Sequence, residues 1–445
     1  MFAFGAPAVG AGYMYLLLSL YVMKFCTDVL LIAPAIMGII YSLSRFWDAI
    51  SDPVAGYCSD RTRLRFGRRR SWILASLIPI CLTFTMVFGP PASLEGTQLI
   101  FWMAIAIIGF YSAMTVFYVP HLSLGAELSD DYHERSRLFG MRHAFYTTGS
   151  MLSLATMYLL ISAEARSEAA VRQVAFDQAL IACLAMGLLI VYAVVRLREP
   201  RSNARKIESG PFQAFKDVGR NPYARRLYLV WFIENIGGGA IAALTLYVCD
   251  YVVGAPQWAP GIILCYMAPS TFAVPIWVAT SRRFGKVNTW ISSMCLTGVS
   301  FGGMFVLPFL DSPDVRLLVV ALLAFSAGFA SAGGGSLGPS VQSDVIDYDE
   351  LHSHERKEGS YFAVWNFVYK SGLGVMLMLT GFVLEFAGFE PNVEQSMTVK
   401  LAMVSLYGLV PLTCYLLGAL LFRGFALDES AHEKIKAELD ARKTQ

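Results

Sequence analysis

The chain has 445 residues, 56% of them hydrophobic and 15% charged, with a formal net charge of +2. A soluble protein of this size would set its apolar residues along one face of each helix or strand, yet here they form blocks that are apolar all round, such as residues 71 to 89. This composition excludes a soluble enzyme or nucleic-acid-binding module and predicts an all-α polytopic membrane protein, with the lipid bilayer as its partner.

A spanning helix needs roughly 20 mainly apolar residues. Candidates fall at 6 to 27, 33 to 58, 71 to 90, 99 to 122, 139 to 162 and 175 to 196, then at 227 to 251, 259 to 280, 287 to 310, 315 to 339, 360 to 386 and 398 to 422. No basic region precedes the first block, so a cleavable signal peptide is not expected. Residues 60 to 70 carry six Arg against one Asp, and residues 196 to 226 carry nine Lys or Arg against three acids. The connections 89 to 98 and 254 to 261 hold no Lys or Arg. The positive-inside rule therefore puts both termini and the linker in the cytoplasm of a bacterial-type inner membrane. The expected organisation is a six-helix half (1 to 196), a linker (197 to 226), a second six-helix half (227 to 422) and a cytoplasmic tail (423 to 445). An echo supports the duplication: Arg65-Phe66-Gly67-Arg68 follows the second span and Arg283-Phe284-Gly285-Lys286 follows the eighth.

The second span contains Arg45-Phe46-Trp47-Asp48-Ala49-Ile50-Ser51-Asp52-Pro53. Asp48 and Asp52 are one turn apart on one helical face, about 6 Å along the axis. Carboxylates within a bilayer are costly and mark an ion path, and each disfavours ionisation of the other unless a cation neutralises them. Hard oxygen ligands suit a hard cation, so Na+ or H+ is the expected coupling ion, with Na+ held at Asp48 and Asp52. Lys370 in the eleventh span is the expected counter-ion when the cation is absent. A permanent ion pair with Arg45 or Lys370 that only fixes helix packing is the competing account.

Three further sets of residues complete the reading. Glu234 and Asn235 lie well inside the seventh span, Trp365, Asn366 and Tyr369 inside the eleventh, and Tyr118 and Arg142 near the fourth and fifth; these are expected to line a substrate cavity. Asp60, Arg61, Arg68, Arg69, Glu127, Arg135, Arg283 and Asp344, at cytoplasmic ends, are expected to act in gating, with Glu127 following helix four and Asp344 following helix ten. The eight cysteines are dispersed and read as small core residues. The runs Gly237 to Gly239 and Gly333 to Gly335 sit within apolar spans and read as close helix contacts, not nucleotide loops. No cofactor, catalytic residue or nucleic-acid partner is expected.

The loop from Gly56 to Arg70 resembles the cytoplasmic signature of the major facilitator superfamily, which implies a major facilitator fold of twelve helices in two six-helix halves and a chain that works as a monomer. With Asp48-Ala49-Ile50-Ser51-Asp52-Pro53, Ser343-Asp344-Val345-Ile346-Asp347-Tyr348-Asp349 and Lys370, it is similar to the glycoside-pentoside-hexuronide:cation symporters, the melibiose-permease-like family. That resemblance implies that the cation-site aspartates fall on Asp48 and Asp52, a helix-four hydroxyl on Thr115 and a helix-eleven lysine on Lys370, and it matches Arg142 to an arginine near the substrate. The sugar-binding aspartates of melibiose permease are replaced by Gly12 and Tyr118. Gly5-Ala6-Pro7, Phe117-Tyr118-Val119-Pro120, Pro275-Ile276-Trp277 and Phe386-Ala387-Gly388-Phe389 resemble sodium-dependent lysophosphatidylcholine symporters. The expected function is cation-coupled symport by alternating access of a small amphiphilic, lysophospholipid-like solute. A glycoside symporter is the alternative, and a passive lipid scramblase or channel the alternative of another class.

Overall fold

A computed structural model describes all residues except 63, 65, 66, 129 to 131, 198, 200 to 215, 217, 354 to 357, 428, 444 and 445; the side chains of some further residues, Asp60 and Arg135 among them, also lie outside the description. The chain forms two compact units, Met1–Pro211 and Phe212–Gln445. The first contains α1 (Phe2–Val29), α2 (Pro34–Arg61), α3 (Arg68–Phe88), α4 (Gly96–Glu127), α5 (Tyr132–Glu164) and α6 (Glu168–Arg196). The second contains α7 (Pro222–Val253), α8 (Pro256–Phe272 and Val274–Phe284), α9 (Lys286–Phe309), α10 (Pro313–Ser353), α11 (Glu358–Phe386), α12 (Met397–Phe422) and α13 (Glu429–Lys443).

Among the described residues, ten helices are long and apolar enough to cross a membrane, and α8 adds an eleventh if its two pieces are one span. They meet at 46°, where Pro275 enters the second piece without an N–H to donate. The remaining expected span is α2, whose 28 residues include Arg45, Asp48, Asp52, Asp60 and Arg61 and are therefore too polar for a count based on apolarity. Large apolar side chains face outward, including Phe386 (87% exposed), Ile78 (75%) and Val195 (71%). Lipid, not water, is the solvent that suits such a surface.

The two units repeat local devices. α1 ends in a π-helical turn, Phe25–Val29, and α7 in another, Val248–Val253. The Ile32 N–H donates to the Cys26 carbonyl and the Ala255 N–H to the Cys249 carbonyl, both at 2.9 Å across six residues. The Arg-Phe-Gly echo also has a structural meaning. Gly67 and Gly285 are the residues from which α3 and α9 start, with φ of +107° and +80°, in a region that side chains with a Cβ rarely enter.

Within the first unit, α1 and α5 cross at backbone contact. A Cβ on Gly149 would lie 1.8 Å from the Val9 carbonyl oxygen, and one on Gly12 would lie 2.0 Å from that of Tyr146. Gly12, which the resemblance sets at a substrate-site position, thus stands at a helix crossing. In the second unit, α13 follows the last span. Leu427, Ile435 and Leu439 are buried in the same cluster as Trp290, Tyr361 and Phe422, so α13 lays its apolar side on the bundle. Gly149→Val is expected to cost about 1–3 kcal/mol, read as a lower midpoint of thermal unfolding in detergent; an unchanged midpoint would mean that α1 and α5 do not meet there.

Candidate functional site: a carboxylate pair on α2

In the first unit, α2 lays its polar face on α4. Arg45 Nη2 donates to the Tyr111 hydroxyl at 2.7 Å, and its guanidinium carbon lies 4.1 Å from the centre of the same ring. One turn on, Asp48 is buried, with 1% exposure. A further turn on, half-buried Asp52 accepts a 2.7 Å hydrogen bond from Thr115 Oγ1. Tyr111 and Thr115 are themselves one turn apart, so the two helices face each other in register along this polar strip. Carboxylate and hydroxyl oxygens are hard donors, the class that small hard cations take.

Other expected residues fall into separate groups. The Arg142 guanidinium lies 4.7 Å from the centre of the Tyr118 ring, and Tyr15 packs its ring 6.2 Å from both Tyr118 and Tyr111. Tyr15 links the Arg142 group to the carboxylate strip, and it was missed because nothing in its local sequence separates it from a core tyrosine. In the second unit, Glu234 (9% exposed) faces α9 and α10, and Trp365 stacks on Trp231 with ring centres 4.2 Å apart. Tyr369 adjoins the same stack at 6.3 Å. Asn235 Nδ2 donates to the Trp231 carbonyl at 2.7 Å, and a Cβ on Gly372 would lie 3.0 Å from the Asn235 Cβ. Asn366 is exposed and Lys370 half-buried on α11.

The loop charges at the helix ends are organised within each unit. Arg68 Nη2 donates to Glu127 Oε1 at 2.7 Å, while Arg69 donates to the same oxygen at 3.1 Å and to Ser59 Oγ at 2.6 Å. Glu199 caps the start of α3, accepting from the Arg69 backbone N–H at 3.0 Å, where the helix dipole favours a carboxylate. Glu127 is the last residue of α4 and Asp344 lies inside α10, so neither follows its helix as expected. Among the described residues Arg283 pairs with no acid; its guanidinium stands 5.4 Å from the Phe284 ring. Lys286 pairs with Asp344 instead, at 2.7 Å, and His432 Nε2 of α13 donates to Asp347 Oδ2 at 2.9 Å. Lys286 occupies the place in the echo that Arg68 holds in the first unit, a correspondence that identifies it from the repeat. Arg61 lies over the ring of Tyr57, 3.5 Å from its centre. The side chains of Asp60 and Arg135 lie outside those described.

Sequence reading also missed Lys24. It is 3% exposed, with Nζ 2.6 Å from Glu164 Oε1 and 2.9 Å from Asp28 Oδ2, in an ion-pair group that ties the end of α1 to the end of α5.

A family model described as MFS/sugar transport protein matches residues 3–429. The chain belongs to that family. The Escherichia coli (strain K12) inner membrane symporter YicJ is 24% identical to this family member, over 91% of this chain and 86% of the relative. The Gallus gallus sodium-dependent lysophosphatidylcholine symporter 1 is 26% identical, over 95% and 85%. Among solved structures, the D-xylose-proton symporter superposes with a TM-score of 0.67 at 15% identity, covering 95% of this chain and 96% of that one. An inward-facing bacterial homologue of the lysosomal transporter Spinster gives 0.68 at 13%, covering 95% and 97%. At those identities the structures show the fold alone, that of major facilitator transporters. As a member of the MFS/sugar transport family, the protein is a membrane transporter and not an enzyme. A double-mutant cycle of Arg69→Ala and Glu127→Ala is expected to give a coupling of about 1–3 kcal/mol in unfolding measurements; additive losses would show that the two side chains do not interact.

Proposed function

We propose that this transporter is a cation-coupled symporter, with Na+ as the favoured ion and H+ as the alternative, carrying a lysophospholipid-like amphiphile. The observation that carries the reading is the Asp52–Thr115 hydrogen bond one turn from buried Asp48. That strip sets carboxylate and hydroxyl oxygens in a span where uncompensated charge is costly, so a cation is its natural occupant. One monovalent cation falling through 100 mV supplies about 2.3 kcal/mol, enough for roughly fiftyfold solute accumulation. Coupling is assigned to Asp48, Asp52 and Thr115, with Lys370 as the residue carrying the counter-charge. The ion pairs of Arg68 and Arg69 with Glu127, and of Lys286 with Asp344, are assigned to gating in an alternating-access cycle. The chain is placed in an inner (plasma) membrane with both termini cytoplasmic, as a monomer.

The amphiphile is favoured over a galactoside by the α1–α5 crossing. Gly12 has no room for a carboxylate, since even a Cβ would meet the Tyr146 carbonyl, and a sugar site lacking buried hydrogen-bond acceptors discriminates poorly. Several relatives that span nearly the whole chain are sodium-dependent lysophosphatidylcholine symporters, which supports the same choice.

Reconstituted vesicles given labelled lysophosphatidylcholine or labelled glycosides under an imposed Na+ gradient test the proposal. Gradient-dependent lysolipid uptake is expected, reduced at least tenfold by Asp48→Asn or Asp52→Asn. Uptake indifferent to the gradient and to both substitutions would mean passive lipid movement, and glycoside uptake alone would replace the substrate.

A further inference from the structure

We propose that Cys81 of α3 and Cys183 of α6 form a modification site, a dithiol that dioxygen dissolved in the bilayer closes to a reversible disulfide, locking the two helices together. The site lies wholly within the first unit and is independent of the transport reading above.

The pair is built from both sides. Cys81 Sγ donates to the Cys183 carbonyl at 3.5 Å, and Cys183 Sγ donates to the Cys81 carbonyl at 3.4 Å. The two thiols also interact with each other, and the Thr85 hydroxyl lies 3.6 Å from Cys183 Sγ. Among the described residues no other two cysteines share such contacts. A disulfide needs Cα atoms within about 7 Å of each other and Cβ atoms that face. Side chains that each reach the other residue's backbone fit both demands.

The crossing that holds them is antiparallel and tight. Gly187, one turn beyond Cys183, faces Leu77, one turn before Cys81, and a Cβ on it would lie 3.3 Å from Leu77 Cδ1. Toward the other end, Gly89 abuts the Phe176 ring. Where α3 begins, Arg70 Nη2 donates to the Val194 carbonyl of α6, and Glu199, just past α6, accepts from the Arg69 N–H at 3.0 Å. The two helices are therefore held in register on both sides of the cysteines, so oxidation meets a geometry already in place.

Chemistry narrows the product. A soft metal would require deprotonated thiols, and thiolate charge in an apolar span is costly. A disulfide is neutral, as are the thiols it replaces, so the bilayer sets no such cost on it. In the step, both S–H bonds break and one S–S bond forms; the two protons and two electrons pass to dioxygen, which leaves as hydrogen peroxide. The joined residues are 102 apart in the chain, so the bridge restricts the unfolded state over a long loop and makes the first unit harder to unfold.

The test uses the full chain in lipid nanodiscs, freed of reductant and exposed to air with a trace of copper–phenanthroline as catalyst, against a sample kept under argon. Thiols are then alkylated in denaturant and counted by mass spectrometry. In air the count is expected to fall from eight to six, with one linked peptide pair joining Cys81 to Cys183, and dithiothreitol is expected to restore all eight. The closed form is expected to unfold at a higher temperature than the argon sample. Cys81→Ser is expected to keep all its remaining thiols and to show no such difference; Cys183→Ser repeats the comparison should the first variant not fold. A count that stays at eight, a linkage between other cysteines, two thiols lost in either variant, or an unfolding midpoint unmoved by closure overturns the proposal.

Discussion

Charge inside a bilayer is the constraint on which the rest of this structure depends. At a helix centre, one acidic or basic residue costs about 2.5–3.5 kcal/mol to insert, and α2 carries Arg45, Asp48 and Asp52 within eight residues. The protein meets that cost on α4, which supplies the Tyr111 ring and hydroxyl to Arg45 and the Thr115 hydroxyl to Asp52. A device built only for stability would replace these groups with apolar ones, as buried ion pairs are seldom better than well-packed hydrocarbon. Their presence in a membrane-spanning helix is what supports the proposal that the strip seats a cation.

The same economy of devices recurs in both units. Each opens with a helix closed by a π turn, and each starts its third helix at a glycine with positive φ. Each joins the start of its third helix to an acid further along the chain, Arg68 and Arg69 to Glu127 in the first and Lys286 to Asp344 in the second. Such matching of turn chemistry and ion pairing is what a duplicated six-helix element predicts.

Much of the fold was legible because lipid demands a simple signal. Apolar blocks near spanning length mark each helix, and the bent α8 is marked by Pro275. At the candidate site, Asp48 and Asp52 were singled out because acids in an apolar span are conspicuous, and Thr115, which hydrogen-bonds Asp52, because a family resemblance pointed to that hydroxyl. Tyr15 and Trp231 were missed because an aromatic residue in a membrane helix looks the same whether it lines a site or fills a core. The close approach at Gly12 and the packing around Asn235 were not legible, because spacing along one chain does not show where another helix crosses. Lys24, Glu199 and His432 escaped notice because their partners lie 140, 130 and 85 residues away. The packing of α13 was hidden for a related reason, since Ile435 and Leu439 are too few among charges to announce a buried face.

Equilibrium binding of radioactive Na+ to the purified protein in nanodiscs, without any solute, tests the central claim most directly. Saturable binding of one ion per chain, lost in the Asp48→Asn, Asp52→Asn double variant while its unfolding midpoint is retained, is the predicted result. Binding that never saturates, or that survives in the double variant, would contradict the assignment of the α2 carboxylates as the ion's seat.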